Sequence, residues 1–171
     1  MLVLGLDPGL ATTGYGLVVG DGRDLDMVSH GVIRTPANTP IGERLVRIHR
    51  EMSCLLDEYH PDVAAVEELF FCKNVRTAMM VGEARGVLLL ALAEAGLEIA
   101  EYTPLQIKEG ITGYGSAEKG QVQEMVRILL RLEEVPRPDD AADALAVAIC
   151  HQHAARMSGL IQENDTARPR R

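Results

Sequence analysis

Residues Leu2 to Val19 read LVLGLDPGLATTGYGLVV. The apolar run Leu2 to Leu6 has the length and composition of a buried strand, and Asp7-Pro8-Gly9 breaks it. Thr13 to Val19 is a second strand, with Gly14 and Gly16 where a ligand or another backbone comes close. GDGRD then turns the chain into a third strand, Leu25 to Ile33, so the first three strands form an antiparallel meander. Asp7 is the oddity: a carboxylate at the end of a segment that should be fully buried.

Working outward, Pro40 to Tyr59 is helical. Leu45, Ile48, Met52, Leu55 and Leu56 recur at helical spacing, with Arg44, Arg47, Arg50 and Glu51 off that stripe. Val63 to Val66 is a short strand that ends in Glu67. A long helix from about Asn74 to Ala95 carries Gly82 and Gly86 four apart on one face, where either the sheet or a second subunit can approach. Leu97 to Tyr102 is a further strand. A short helix follows around Leu105 to Gly110. Another runs from Ser116, read as its N-cap with Glu118 in the first turn, to about Leu132. Asp139 or Asp140 opens a last helix ending near Ala155. His151 and His153, two apart, share no helix face and are read as surface histidines. The order of elements makes a mixed α/β sheet with helices on its faces. Residues 1–156 are expected to form one domain, and the polar, aperiodic residues 157–171 a flexible C-terminal tail.

The 171 residues suit a single domain with a sizeable core. No apolar run reaches the roughly 18 residues of a membrane span, and no basic region precedes LVLGL as in a signal peptide. A cytoplasmic protein with no membrane association is therefore expected. The three cysteines, Cys54, Cys72 and Cys150, form no Cys-x-x-Cys pair, so neither a zinc site nor a disulfide framework is indicated. The net charge of −8 argues against whole-surface nucleic-acid coating but leaves room for a local basic strip. Of seventeen basic residues, only Lys73, Lys108 and Lys119 are lysines. A chain that uses arginine for generic positive charge singles out those three positions.

Four carboxylates sit where burial makes them costly. Asp7 and Glu67 each end a strand; if those strands are neighbours, both side chains emerge at one end of the sheet. Asp140 and Asp143 are three apart on a helix and share a face, amid Ala141, Ala142, Ala144, Leu145, Ala146, Val147 and Ala148. Asp139 points elsewhere. Clustered carboxylates raise one another's pKa, and a buried one left unpaired costs several kcal/mol. Divalent Mg²⁺ or Mn²⁺, which take oxygen ligands, resolve that conflict. Two such ions held close together can drive phosphodiester hydrolysis.

GLDPGLATTGYG, VEELFFCKN, GEARGV, GYGSAEKGQVQ and DDAADALAVAICH, in that order, resemble the RuvC family of Holliday junction resolvases, collinearly from Met1 to about Ala155. The resemblance implies a ribonuclease-H-like fold, a five-stranded mixed sheet flanked by helices. It implies a homodimeric, Mg²⁺-dependent endodeoxyribonuclease that cuts two opposed strands of a four-way DNA junction in recombination and repair, leaving 5′-phosphate and 3′-hydroxyl ends. Two ions per site are expected, with Mn²⁺ a possible substitute. The family's catalytic, metal-binding acids fall on Asp7, Glu67, Asp140 and Asp143, and its phosphate-proximal lysines, with roles in catalysis or binding, on Lys108 and Lys119. Lys73 and Arg76 fall on DNA-facing positions, and Phe70, rather than its neighbour Phe71, on the aromatic that stacks on or wedges between junction bases. The branch-migration proteins RuvA and RuvB are implied partners. Binding through a strip of Lys73, Arg76, Lys108 and Lys119 should weaken steeply with salt. Two other readings are a junction-binding scaffold without activity and an actin-like phosphate-loop ATPase. The intact acid set opposes the first; the short chain, with one such loop, opposes the second.

Overall fold

A computed structural model describes residues 1–68 and 75–166, with side chains to Leu160. Phe70, Phe71, Cys72 and Lys73 lie outside the described residues. The chain runs β1 (Leu2–Asp7), β2 (Thr12–Gly20), β3 (Leu25–Arg34), α1 (Ile41–Tyr59), β4 (Val63–Glu67), α2 (Val75–Glu94), β5 (Glu98–Tyr102), α3 (Pro104–Thr112), α4 (Lys119–Leu129) and α5 (Asp139–Thr166). The strands form one sheet in the order β3-β2-β1-β4-β5. β1, β2 and β3 are the antiparallel meander read from the sequence, and β4 and β5 extend it in parallel from the β1 side.

Side-chain alternation along the strands supplies two cores. Leu4, Leu6, Leu17, Ala64 and Val66 point to the α1–α2 face, against Ile48, Met52 and Leu56 of α1 and Ala84, Leu88 and Leu92 of α2. Val3, Val18, Val63 and Ala65 point to the other face, where Ile107 and Ile111, Val122 and Val126, and Leu145 to Cys150 close over them. α1 is amphipathic, its buried Ile48, Met52 and Leu56 four apart, and it ends on His60 in the left-handed region with Pro61 beyond. α5 is apolar all round from Ala144 to Cys150 because it lies buried across the sheet.

Three glycines set how closely α5 lies. Gly5 pairs with Gly16, and Gly14 is the next same-face position along β2. A Cβ on Gly5 would stand 2.1 Å from the Ala144 carbonyl oxygen, one on Gly14 1.9 Å from that of Asp140, and one on Gly16 2.8 Å from the Leu145 side chain. The close approach suggested by TTGYG is thus that of a helix backbone.

Several expectations need correction. α5 runs to Thr166, past the expected end near Ala155 and into the segment read as a tail. Ala154, Ala155, Arg156, Met157 and Leu160 are strong helix formers, and helix propensity needs no apolar periodicity. α4 is capped by Glu118, not Ser116: the Glu118 backbone N–H donates to Gln121 Oε1 at 2.8 Å, and the Gln121 backbone N–H donates to the Glu118 carbonyl oxygen at 3.0 Å. His151 and His153 are half-buried: Nδ1 of His151 lies 2.9 Å from the Tyr102 hydroxyl, and Nδ1 of His153 lies 2.9 Å from the Gly110 carbonyl oxygen. Among the described residues no helix is long and apolar enough to cross a membrane, and Cys54 and Cys150 are free thiols.

Candidate active site

β1 and β4 run parallel with Gly5 beside Ala65 and Leu6 beside Val66. One step further, that register sets Asp7 beside Glu67 at the carboxyl ends of adjacent strands. Both carry the parity of Gly5 and Ala65, so both face α5. α5 begins at Asp139, and the glycine seat lowers its first turn onto Gly14, the residue paired with Asp7. Asp140 and Asp143 thereby arrive over the same end of the sheet. The helix N-terminus itself favours carboxylates there.

Electrostatics record the convergence. Burial first, and then the charges of Glu67, Asp143 and Asp140, push the Asp7 carboxyl up to about 8, and it holds its proton in a hydrogen bond to Glu67. Burial and the charge of Asp143 also raise Glu67, against the opposing pull of that hydrogen bond and of Lys119. Burial raises Asp143, opposed by the Lys119 ammonium. Lys119 Nζ donates to Asp143 Oδ2 at 2.7 Å and lies 3.7 Å from Asp139 Oδ2. Desolvation is the largest influence on Lys119 and lowers its pKa, but the bond to Asp143 and the charges of Asp143, Asp139 and Asp140 leave it raised overall.

A cleft of about 180 Å³ opens here, lined by Glu67, Asp143, Lys108, Lys119 and the apolar walls Pro104, Ile107, Val122 and Ala146. Asp7, Glu67, Asp140, Asp143, Lys108 and Lys119, separated by up to 136 residues of sequence from Asp7 to Asp143, are therefore gathered at one end of the sheet. Arg76 lies exposed in the first turn of α2. Phe70 and Lys73 fall outside the described residues.

Among the described residues, no three acidic, histidine or cysteine side chains already form a ligating cluster. The Lys119 ammonium occupies the Asp143 carboxylate. The donor set nonetheless fits a hard divalent cation: all-oxygen, partly buried, and raised in pKa by its own crowding.

Two features of the site went unread in the sequence. Asp139 belongs to its rim, bonded by Arg137 Nη1 at 2.6 Å as well as facing Lys119; an i, i+2 Arg–Asp pair carries no periodic signal. The glycine seat was visible as residues but not as a seat, because only the pairing of β1 with β2 sets Gly5, Gly14 and Gly16 side by side.

The profile of the family described as "Crossover junction endodeoxyribonuclease RuvC" matches residues 3–151. Curated relatives of that name include one from Syntrophomonas wolfei, 52% identical over 97% of this chain and 96% of its own length. Another, from Chloroflexus aggregans, is 55% identical over 91% and 94%. Among solved structures, the T. thermophilus RuvC in complex with Holliday junction substrate superposes with a TM-score of 0.89, at 40% identity, over 92% of this chain and 96% of that one. The fold is accordingly the ribonuclease-H-like one.

Proposed function

The chain belongs to the RuvC family of crossover junction endodeoxyribonucleases, and from that membership we propose that it resolves four-way DNA junctions by paired, symmetric phosphodiester hydrolysis. The products carry 5′-phosphate and 3′-hydroxyl ends that a ligase can rejoin, which suits recombination and repair in the cytoplasm. The observation that carries this reading is the meeting of Asp7, Glu67 and Asp143, from three separate elements, with Lys108 and Lys119 at one cleft.

Asp7, Glu67, Asp140 and Asp143 are proposed to hold Mg²⁺, two ions per site, with Mn²⁺ a substitute. Such ions, when bound, activate the attacking water and offset charge on the leaving oxygen. The chain's own part is to place and charge the site. β1 and β4 fix two acids on rigid strand ends, and α5 fixes the other two. Lys119, already at the Asp143 carboxylate, stands where it can donate to a phosphate oxygen lying between the acids. Lys108, on α3 in the lining of the same cleft, adds a second cation to the pentacoordinate state. Phe70, Lys73 and Arg76 are proposed DNA contacts.

Two opposed cuts call for two copies. The outer face of α2 supports a homodimer: Val75, Met79 and Leu90 are exposed apolar residues on one stripe, and among the described residues nothing lies within 4 Å of where a Gly86 Cβ would stand. RuvA and RuvB are proposed partners on family grounds.

A nicking assay on a synthetic four-way junction, with linear duplex as control and Mg²⁺, Mn²⁺ and Ca²⁺ in turn, tests the reading. Paired nicks on the junction alone, with Mg²⁺ or Mn²⁺, are expected. Binding without nicks under every metal would leave a scaffold, and ATP hydrolysis without DNA would point to the phosphate-loop class.

A further inference from the structure

Beside the acidic cleft lies a second depression that the acids and lysines do not explain. It measures about 230 Å³ and is lined by Pro104, Leu105, Lys108 and Gly115. Pro104 and Lys108 also line the acidic cleft, so the two hollows share one wall. Leu105, on the first turn of α3, is 54% exposed although large and apolar.

The far wall is built to be firm and to keep Leu105 in place. Thr112 Oγ1 donates to the Lys108 carbonyl at 2.9 Å, and the Tyr114 backbone N–H lies 3.4 Å from the same hydroxyl. Gly113, at φ 84°, turns the chain in a conformation that glycine adopts without strain. Gly115 then passes beneath Leu105: a Cβ there would lie 2.2 Å from Leu105 Cδ1 and 3.3 Å from Glu109 Oε1. The absent side chain gives the leucine its position.

We propose that this groove is a nucleotide subsite, holding the base and sugar of the cleaved strand next to the scissile phosphate. The inference rests on the endonuclease reading and deepens it. Charge sets the polarity of the subsite. Lys108, at the shared wall, takes a phosphate; Glu109, beside Gly115, repels one. The backbone therefore stays at the Lys108 end, and the apolar faces of Pro104 and Leu105 meet the base and sugar. Contact with the face of a base is sequence-tolerant but responds to whether a base is present.

The test is a cycle between protein and DNA on the full chain, with Mg²⁺ and a synthetic four-way junction, read as single-turnover cleavage rates. Each nucleotide flanking the cut is replaced in turn by an abasic one. Wild type should slow by about tenfold at one flanking position. Leu105→Ala should cut the intact junction about tenfold more slowly, and the abasic substitution at that position should then add nothing, since the partner is already gone. Leu105→Met should keep the wild-type pattern. Gly115→Ala, which drives Leu105 into the groove, should behave like Leu105→Ala and gives a second route should that variant fold poorly. The proposal is overturned if wild type tolerates an abasic site at every flanking position, or if Leu105→Ala and Gly115→Ala retain the full abasic penalty. A wild-type chain that cuts no junction at all overturns the endonuclease reading itself, a separate and recognisable result.

Discussion

Gly14 lies directly beneath Asp140: a methyl group on Gly14 would stand 1.9 Å from the Asp140 carbonyl oxygen. The helix backbone cannot yield to it without lifting the first turn of α5, which carries two of the four acids. Gly14→Ala should therefore cost about 1–3 kcal/mol or more of stability from overpacking. It should also cost cleavage out of proportion to that loss. Chemical denaturation alongside single-turnover cleavage, at a temperature where the variant remains folded, separates the two effects. Wild-type cleavage by a folded Gly14→Ala protein would show that the seat does not set the acids.

Asp7 links stability to pH. Its folded pKa, near 8, lies above its ordinary value of 3.8. Between those values the folded chain keeps a proton that the unfolded chain releases. Stability without divalent ions thus falls as pH rises through this window. Asp7→Asn carries no charge and escapes this fall. In chelator at pH 8 the variant should exceed wild type by on the order of 5 kcal/mol, and at pH 4 by far less, while cutting no DNA. Thermal melts at both pH values check this, and parallel curves for the two proteins would contradict it.

Lys119 is expected to act on the reaction more than on binding. Lys119→Met removes one donor aimed at the cleft, so cleavage should fall by about 10²–10³-fold. Junction affinity should lose one phosphate contact, seen as a drop of about 1 in the slope of log affinity against log salt. A variant that binds far more weakly yet cuts at the wild-type rate when saturated would assign Lys119 to binding alone.

The α2 stripe can be broken without touching the cleft. Met79 and Leu90 are 63% and 53% exposed, so Met79→Glu with Leu90→Glu should leave the fold intact and repel a second copy. Sedimentation should then report a monomer, and paired cutting should give way to slow, single nicks. An unchanged dimer would move the interface elsewhere.

The parts of this molecule that were legible in the sequence are those where a local signal and a global need coincide. Asp7 and Glu67 stood out because each ends an apolar run, and Asp140 and Asp143 because their helix is otherwise small and apolar. What stayed hidden depends on what lies opposite. His151 and His153 face different sides of α5, which from sequence suggests solvent. In the fold both sides are occupied, one by Tyr102 of β5 and the other by the Gly110 carbonyl of α3. The length of α5 was missed because residues beyond Ala155 keep helix propensity after losing their apolar face.

Gln152, buried on α5, donates through Nε2 to the carbonyls of Met1, just before β1, and Val18 of β2, so α5 fastens strands that lie far ahead of it in the chain. During synthesis, Asp7 and Glu67 emerge long before Asp140 and Asp143, and the acidic cleft has only half its charge until α5 has left the ribosome and docked. A growing or truncated chain therefore cannot complete the cleft.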